Sequence, residues 1–576
     1  MSDDEPKAAP ARVEASERKP DYDVIVIGGG VNGTGVARDC ALRGLSVALF
    51  EKNDFAFGAS GNNSGMIHGG VRYLTTTPEV TRQSCQDSGY IQRIAPHLLF
   101  RIPFLFPIPA KGAFSKLALA GIDAFMSFYD RYQPLKRGKP HTLLSPDEVR
   151  TLEPGLKLDI VGAITFDEWG IDGVRLCVLN ALDAERSGAS IHIHHEVEKL
   201  VREREDDPEG PSGRVTGVVA RDTLTGARVT ATARVIINAT GAWAPVTVRL
   251  APGARARIRP GKGIHVVYDR RFSNYAVISN AIDGRQIFIM PWENISWIGT
   301  TDDDFYGDLD RIRPTTDEVR YLIQGVASVL PAVRDARVIG TTVGVRPTLF
   351  AYGPNEDELS REHEIVDHGA KDDVPGLFSM LGGKLASFRL FSEEMTDRIC
   401  TELGVNASCR THELALPGGD MVIPPGPLAA QHAVPELAAR RLVYRHGGMA
   451  DEVLSRLERD PEERAVVCQC EPVLECEVRY VCRVEKARTL DDVSRRTRLG
   501  LGACGGMRCA HRASQIVGQE LGYGPRTVHR MARELLVDRW QSRVVALDGP
   551  QVRQEELLLS RLGHAGVGPR SGGEGS

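Results

Sequence analysis

Read for its pattern of apolar and polar positions, the chain turns ordered at Asp21 to Ile27 (DYDVIVI), a β-branched run of the kind that forms a buried parallel strand. The following GTGVARDCALRG has helical spacing, and Leu45 to Phe50 (LSVALF) predicts a second strand. Two more strands are expected far along the chain. Arg234 to Gly241 (RVIINATG) runs into an Ala-Thr-Gly turn, and Leu377 to Lys384 (LFSMLGGK) ends in Gly-Gly before a helix beginning near Leu385. After Gly404 the pattern changes: LALPGGD (414–420) opens a new unit, a Pro/Gly/Ala-rich stretch (422–435) reads as a linker, and short amphipathic helices follow to about Arg459. Residues 1–20 and the Gly/Ser/Arg tail from about 563 read as disordered, and the leader lacks the apolar core of a signal peptide.

At 576 residues the chain exceeds a single compact core. A composition of 42% hydrophobic and 26% charged residues is that of a soluble globular protein, and a net charge of −5 leaves no broad basic face for nucleic acid. No stretch reaches the roughly 20 uninterrupted apolar residues that span a bilayer. Leu98 to Phe128 is nevertheless rich in Phe, Leu and Pro, and is followed by Arg131, Lys136, Arg137 and Lys139. The simpler reading is a core-facing loop and helix; the other is an apolar patch resting on a membrane surface or a partner. Of 11 cysteines, six (Cys468, Cys470, Cys476, Cys482, Cys504, Cys509) fall within 42 residues, which points to a metal or cluster site in a reducing compartment.

Gly28-Gly29-Gly30-Val31-Asn32-Gly33 stands between the first strand and the helix, and Glu51 closes the second strand. Strand, G-x-G-x-x-G, helix, strand and acid in this register predict dinucleotide binding. Gly28 permits the tight turn, Gly30 lets the backbone approach a pyrophosphate, Gly33 allows close helix–strand packing, and Glu51 offers oxygens to a ribose.

RVIINATG resembles the second nucleotide-contact motif of FAD-dependent oxidoreductases, and LFSMLGGK the strand that ends at the flavin. The strings GASGNNSGMIHGGVRYL (58–74), GKGIHVV (261–267), IMPWENISWIGTTDDDFYGD (289–308), VGVRPT (343–348) and GGKLASFR (382–389) resemble the FAD-dependent glycerol-3-phosphate dehydrogenases. That resemblance implies FAD contacts from Gly28, Gly30, Asn32, Gly33, Glu51, Lys52, Ser60, Ser64, His68, Val197, Ala239, Thr240, Gly241, Gly382, Gly383 and Lys384. It assigns Arg72, Arg346 and Lys384 to the substrate pocket, with Tyr73, Lys262, His265 and Thr301 alongside. Clustered Arg and Lys suit a phosphomonoester. Oxidising a secondary alcohol needs a base and an electrostatic clamp: His265 is favoured as the base, His68 competes, and Arg346 stabilises the developing alkoxide. Thr300 and Thr301 serve equally well as hydroxyl donors or as strand residues, and Asp302 to Asp304 read as a solvated turn.

Cys468-x-Cys470, 33 intervening residues, and Cys504-x₄-Cys509 make a four-thiolate set. The single-residue gap disfavours a zinc knuckle, and soft thiolates in the glycine-rich loop RTRLGLGACGGMRCAHR suit iron–sulfur. Residues 466–520 resemble the bacterioferritin-associated-ferredoxin type of 2Fe-2S domain, with Cys476 and Cys482 preferred as core thiols and Cys476 as an alternative ligand. A flavin dehydrogenase joined to such a domain resembles the catalytic subunit of the anaerobic glycerol-3-phosphate dehydrogenases. It implies a second flavin subunit and a membrane-anchoring iron–sulfur subunit, with quinone as terminal acceptor. VRYL, the IGTTD string and the Phe-rich segment look closer to the aerobic, membrane-associated enzymes, implying direct membrane contact through about 98–139. The competing functions are a non-catalytic redox sensor and a flavin-dependent amino-acid or opine dehydrogenase subunit.

The expected fold is an α/β FAD-binding unit of Rossmann-like, D-amino-acid-oxidase/glutathione-reductase type over 21–405, with an interleaved antiparallel-sheet substrate subdomain. Small, mainly helical C-terminal domains follow: an extension over 406–465, the 2Fe-2S domain over 466–520 and a helical segment over 521–562. The expected location is cytoplasmic, peripheral on the inner face of the membrane.

Overall fold

A computed structural model describes residues 19–75, 78–110, 112, 114–157, 159–203, 213–353 and 362–564; the leader, the tail and the Arg72 side chain lie outside the described residues. The β-branched runs form one sheet in the order His363–Asp367, Leu377–Gly382, Arg228–Asn238, Tyr22–Ile27, Val47–Phe50, Ser190–His192. Its central pairs are parallel, as in Val24 beside Val47 and Ile25 beside Ile236. Parallel strands buried on both faces are uniformly apolar. Val24, Val26, Val47, Leu49, Val235 and Ile237 pack with the helices Val31–Leu42, Gly173–Arg186 and Phe388–Leu403 in one core. Because these strands run the same way, Gly28, Glu51, Ala239 and Gly383 all emerge at their carboxyl edge, where open α/β sheets bind ligands.

The second sheet runs Asp303–Asp304, Ile258–Tyr268, Ile295–Gly299, Gln286–Trp292, Ala276–Asn280, Leu99–Pro109, Ile160–Ile171, Thr142–Leu144, with Val338–Leu349 along the free side of Ile258–Tyr268. Every pair is antiparallel except Ala276–Asn280 with Leu99–Pro109. The Phe-rich segment divides between two fates. Leu99–Pro109 faces the core, but as a strand where the simpler reading expects a loop, and the Ser115–Tyr129 helix buries only Ser115, Met126 and Tyr129. Phe114 at its N-terminus and Leu117 within it stand 79% and 68% exposed.

The C-terminal helices share a single core running from Leu428 to Leu562, so the expected extension, cysteine segment and final helical segment pack as one unit. Buried ion pairs hold that unit against the rest. Arg175 meets Glu485 at 2.6 Å with both side chains fully buried, and Arg496 grips Asp54 through two bonds of 2.7 and 2.8 Å. Among the described residues no helix is long and apolar enough to cross a membrane.

Candidate active site

The strand ends open onto a cavity of about 1090 Å³, large enough for an elongated dinucleotide with a small substrate beside it. One side is built by the glycine motif. Gly28 has φ +115°, and a Cβ there would lie 2.6 Å from the Ala239 carbonyl oxygen; a Cβ on Gly33 would lie 2.0 Å from the Gly28 carbonyl oxygen. Both positions therefore exclude any larger residue, for the turn and for helix packing respectively. Gly28, Gly30, Asn32, Glu51, Lys52, Ser60, Ser64, Val197, Ala239, Thr240 and Gly241 line the cavity, as do Gly382, Gly383 and Lys384. Gly33 supports the wall from behind.

Two details test the fit to FAD. The helix Val31–Leu42 points its N-terminus at the cavity, and Asn32 Oδ1 is buried there without a partner, as an acceptor awaiting a donor. Glu51 lies in the wall with each oxygen accepting one backbone amide, Oε2 from Gly29 (2.6 Å) and Oε1 from Asn53 (2.8 Å). Each oxygen keeps a lone pair for a ribose hydroxyl. Burial raises the Glu51 carboxyl above its usual range. Lys52 pairs with Asp310 and lies over the Trp243 ring, and Ser60 Oγ accepts from the Val31 amide (3.0 Å).

The substrate-side residues do not all reach the cavity. His68, Tyr73, Arg346 and Lys384 line it, with Lys384 Nζ 4.1 Å from the centre of the Tyr73 ring. Arg72 belongs to the short turn Val71–Tyr73. His265 stands behind the wall, 3% exposed, with Nε2 3.0 Å from Ser64 Oγ and Nδ1 3.4 Å from Thr342 Oγ1. Burial and the nearby Arg346 charge push its pKa down to about 3. His265, expected as the base, is thus set behind the cavity wall and not in it. Lys262 is also absent from the wall, its Nζ held 2.8 Å from Glu318. Thr301 is buried, its hydroxyl accepting from the Ile264 amide (3.1 Å), and Thr300 is the threonine in the wall.

Asp302 overturns the reading of a solvated turn. It lines the cavity and accepts from Arg346 Nη1 at 2.8 Å, while Arg346 Nη2 donates to Thr300 Oγ1 (3.1 Å) and to the Thr301 carbonyl (3.2 Å). Arg285, unassigned from sequence, joins the wall and donates to the Asp302 carbonyl at 2.6 Å. Its signal was the Asp283-Gly284 turn ahead of a β-run, which places Arg285 at a hairpin tip beside that acid. Glu168 was missed as well and lies in the same wall.

In the C-terminal unit the four predicted thiols draw together. The Cys509 thiol hydrogen-bonds Cys468 and, against burial and with backbone amides of Gly500, Glu471 and Cys470, brings Cys468 down to about 6. The Cys470 and Cys504 thiols also hydrogen-bond, while burial and Cys504 raise Cys470, and Cys509 feels all three of the others. Burial raises Cys476 and Cys482 to about 12, as core thiols. Among the described residues no group of three or more His, Cys, Asp or Glu side chains is arranged to hold a metal ion.

Comparison with known proteins agrees with this geometry. The family of FAD dependent oxidoreductases matches residues 23–387, and the C-terminal domain of alpha-glycerophosphate oxidase matches 409–528. The chain belongs to the FAD dependent oxidoreductases. It is 32% identical over 540 residues to one of the subunits of the anaerobic glycerol-3-phosphate dehydrogenase of Escherichia coli, covering 93% of this chain and 95% of that one. It is 32% identical to a glycerol-3-phosphate dehydrogenase of Synechocystis, covering 82% and 88%. The glycerol-3-phosphate dehydrogenase of Bacillus halodurans, solved with FAD, superposes with a TM-score of 0.72 at 25% identity, covering 93% of this chain and 97% of that one. Within its family, then, the chain is one of the glycerol-3-phosphate dehydrogenases.

Proposed function

We propose that this protein oxidises the secondary alcohol of sn-glycerol 3-phosphate to dihydroxyacetone phosphate. The observation that carries the reading is one continuous cavity joining the glycine-motif side to a wall bearing His68, Arg285, Arg346 and Lys384. FAD, when bound along the glycine side, supplies the acceptor for the carbinol hydride. The phosphomonoester brings nearly two negative charges, which two guanidinium forks and an ammonium match. His68 takes the hydroxyl proton, since its ring reaches the cavity and a neutral imidazole nitrogen can accept one. Arg346, held by Asp302 and Thr300, meets the developing alkoxide with a preoriented positive charge. An amino-acid substrate needs a carboxylate clamp and leaves the phosphate charge unused. Dye-linked turnover with glycerol 3-phosphate yielding dihydroxyacetone phosphate, and none with proline or glycine, is the expected assay result; the opposite ranking rejects the assignment.

The four thiols fit a binuclear cluster better than a single ion. One ion needs its ligands around one point, whereas a 2Fe-2S cluster takes two pairs, and the thiols fall into the pairs Cys468/Cys509 and Cys470/Cys504. Bound there, a 2Fe-2S centre supplies a one-electron carrier between the enzyme and its partner subunits, with quinone as the final acceptor. The exposure of Cys470 supports an exit at the surface. The full-length protein purified without oxygen is expected to hold two irons and two acid-labile sulfides per chain, and Cys504→Ser to lose both; iron retained in full by Cys504→Ser removes it from the ligand set.

The Ser115–Tyr129 helix is proposed as a peripheral membrane-docking face on the cytoplasmic side. Phe114, Leu117 and Phe128 are exposed beside Lys116, Arg131, Arg137 and Lys139, an apolar stripe with a basic rim that suits anionic lipid. Co-sedimentation with anionic vesicles should fall at least tenfold in Leu117→Glu/Phe128→Glu; unchanged sedimentation assigns the face to a protein partner instead.

A further inference from the structure

Glu168 shares the cavity wall with His68, and the chemistry above makes no use of it. It sits on the Ile160–Ile171 strand, which carries the base-bearing loop by main-chain pairing. The Ile67 amide donates to the Trp169 carbonyl (3.0 Å) and the Ile171 amide to the Gly65 carbonyl (2.8 Å). At the residue after His68 a side chain takes over: the Gly69 amide donates to Glu168 Oε2 at 3.1 Å. The Tyr129 hydroxyl donates to Oε1 at 3.1 Å, and Lys136 Nζ lies 2.6 Å from Oε2 while also donating to the Asp167 carbonyl at 2.8 Å. The Lys136 and Glu168 side chains are 0% and 3% exposed.

The contact is tight as well as dry. A Cβ on Gly69 would lie 2.3 Å from the Tyr129 hydroxyl and 2.5 Å from Cys85 Sγ, so the loop cannot move toward this network. Removing two charges from water is costly, and their attraction offsets that cost only with good geometry and further hydrogen bonds. A core that merely needed filling would be as well served by apolar side chains. Only a carboxylate accepts on both oxygens from three converging donors, and here one of those donors is the main chain beside the base.

We propose that Glu168 is a positioning residue for His68: clamped between Tyr129 and Lys136, it fixes the Gly69 amide and thereby holds the imidazole at the cavity wall, facing the substrate hydroxyl. The inference rests on His68 being the base. Correct placement of a base affects the barrier more than binding, because small displacements cost rate while the phosphate contacts that hold substrate remain.

The test uses the full-length, FAD-loaded enzyme and replaces both members of the buried pair, so that no lone charge is left inside. Lys136→Met/Glu168→Ala is expected to lower kcat by about tenfold or more, with KM for glycerol 3-phosphate within about twofold and flavin content unchanged. Lys136→Met/Glu168→Gln, whose amide oxygen again accepts from Gly69, should recover most of that loss. Wild-type kcat in the alanine pair, or a loss that glutamine does not relieve, overturns the inference. If the alanine pair does not fold, Tyr129→Phe, which keeps the ion pair, should lower kcat by about threefold at unchanged KM; unchanged kcat overturns it equally. His68→Gln is measured in parallel. An inactive His68→Gln beside a fully active alanine pair sinks the role of Glu168 alone, whereas full turnover in His68→Gln sinks the assignment of the base.

Discussion

Replacing His68 by glutamine is expected to lower kcat on glycerol 3-phosphate by about 10²–10⁴-fold, the range over which a positioned general base contributes. Glutamine keeps a hydrogen-bonding side chain at a half-buried site in the wall, so folding and FAD content should be those of the parent. His265→Gln provides the contrast. With its pKa near 3, His265 is neutral across the working range and lies behind Ser64, so the pH dependence of kcat/KM should not change in that variant. A pH-rate limb that disappears in His265→Gln and survives in His68→Gln would reverse the two roles.

The largest effect on stability is expected at the seam between the C-terminal unit and the nucleotide-binding unit. Glu485 is buried against Arg175, and its carboxyl lies well below the usual range because the Arg175 and His446 charges outweigh its burial. Glu485→Ala leaves Arg175 charged and unpaired in the interior, at a cost of about 3–5 kcal/mol. Since the folded pKa is depressed, the contribution of Glu485 is fully present above its unfolded pKa of about 4.3 and is lost as pH falls through the lower folded value. The wild-type protein should therefore lose this part of its stability only below about pH 4, and Glu485→Ala should already lack it at pH 7. Denaturant unfolding of the C-terminal unit, followed by limited proteolysis, measures the difference. A midpoint equal to that of wild type at pH 7 contradicts the account of this interface.

What the sequence discloses and what it hides follow from the range of the interactions. Gly28 and Gly33 are legible because their requirement is local: a left-handed turn, and a helix pressed on the strand that precedes it. The uniformly apolar runs around Val24, Val47 and Ile236 likewise announce a parallel sheet buried on both faces. The placement of His265 behind the wall is hidden for a related reason. The Ile258–Tyr268 strand is flanked on both edges and buried at ten of its eleven positions, so alternation cannot show which side chains face the cavity. Asp302 looked like a turn because the Arg346 that claims it arrives from another strand, 44 residues later. Glu168 and Lys136 are 32 residues apart in sequence and the charges of Arg175 and Glu485 are 310 apart; no periodicity predicts that either pair is buried. The drawing together of Cys468, Cys470, Cys504 and Cys509 was legible from their spacing, but the single core their segment shares with the helices on both sides arises from tertiary packing.

The most direct test is anaerobic titration of the purified, FAD-loaded protein with glycerol 3-phosphate, followed in the visible spectrum. Bleaching of the flavin absorption at substoichiometric to stoichiometric substrate, absent in His68→Gln on the same time scale, is the predicted result. A flavin spectrum unchanged by glycerol 3-phosphate or any other polyol phosphate would contradict the proposed function.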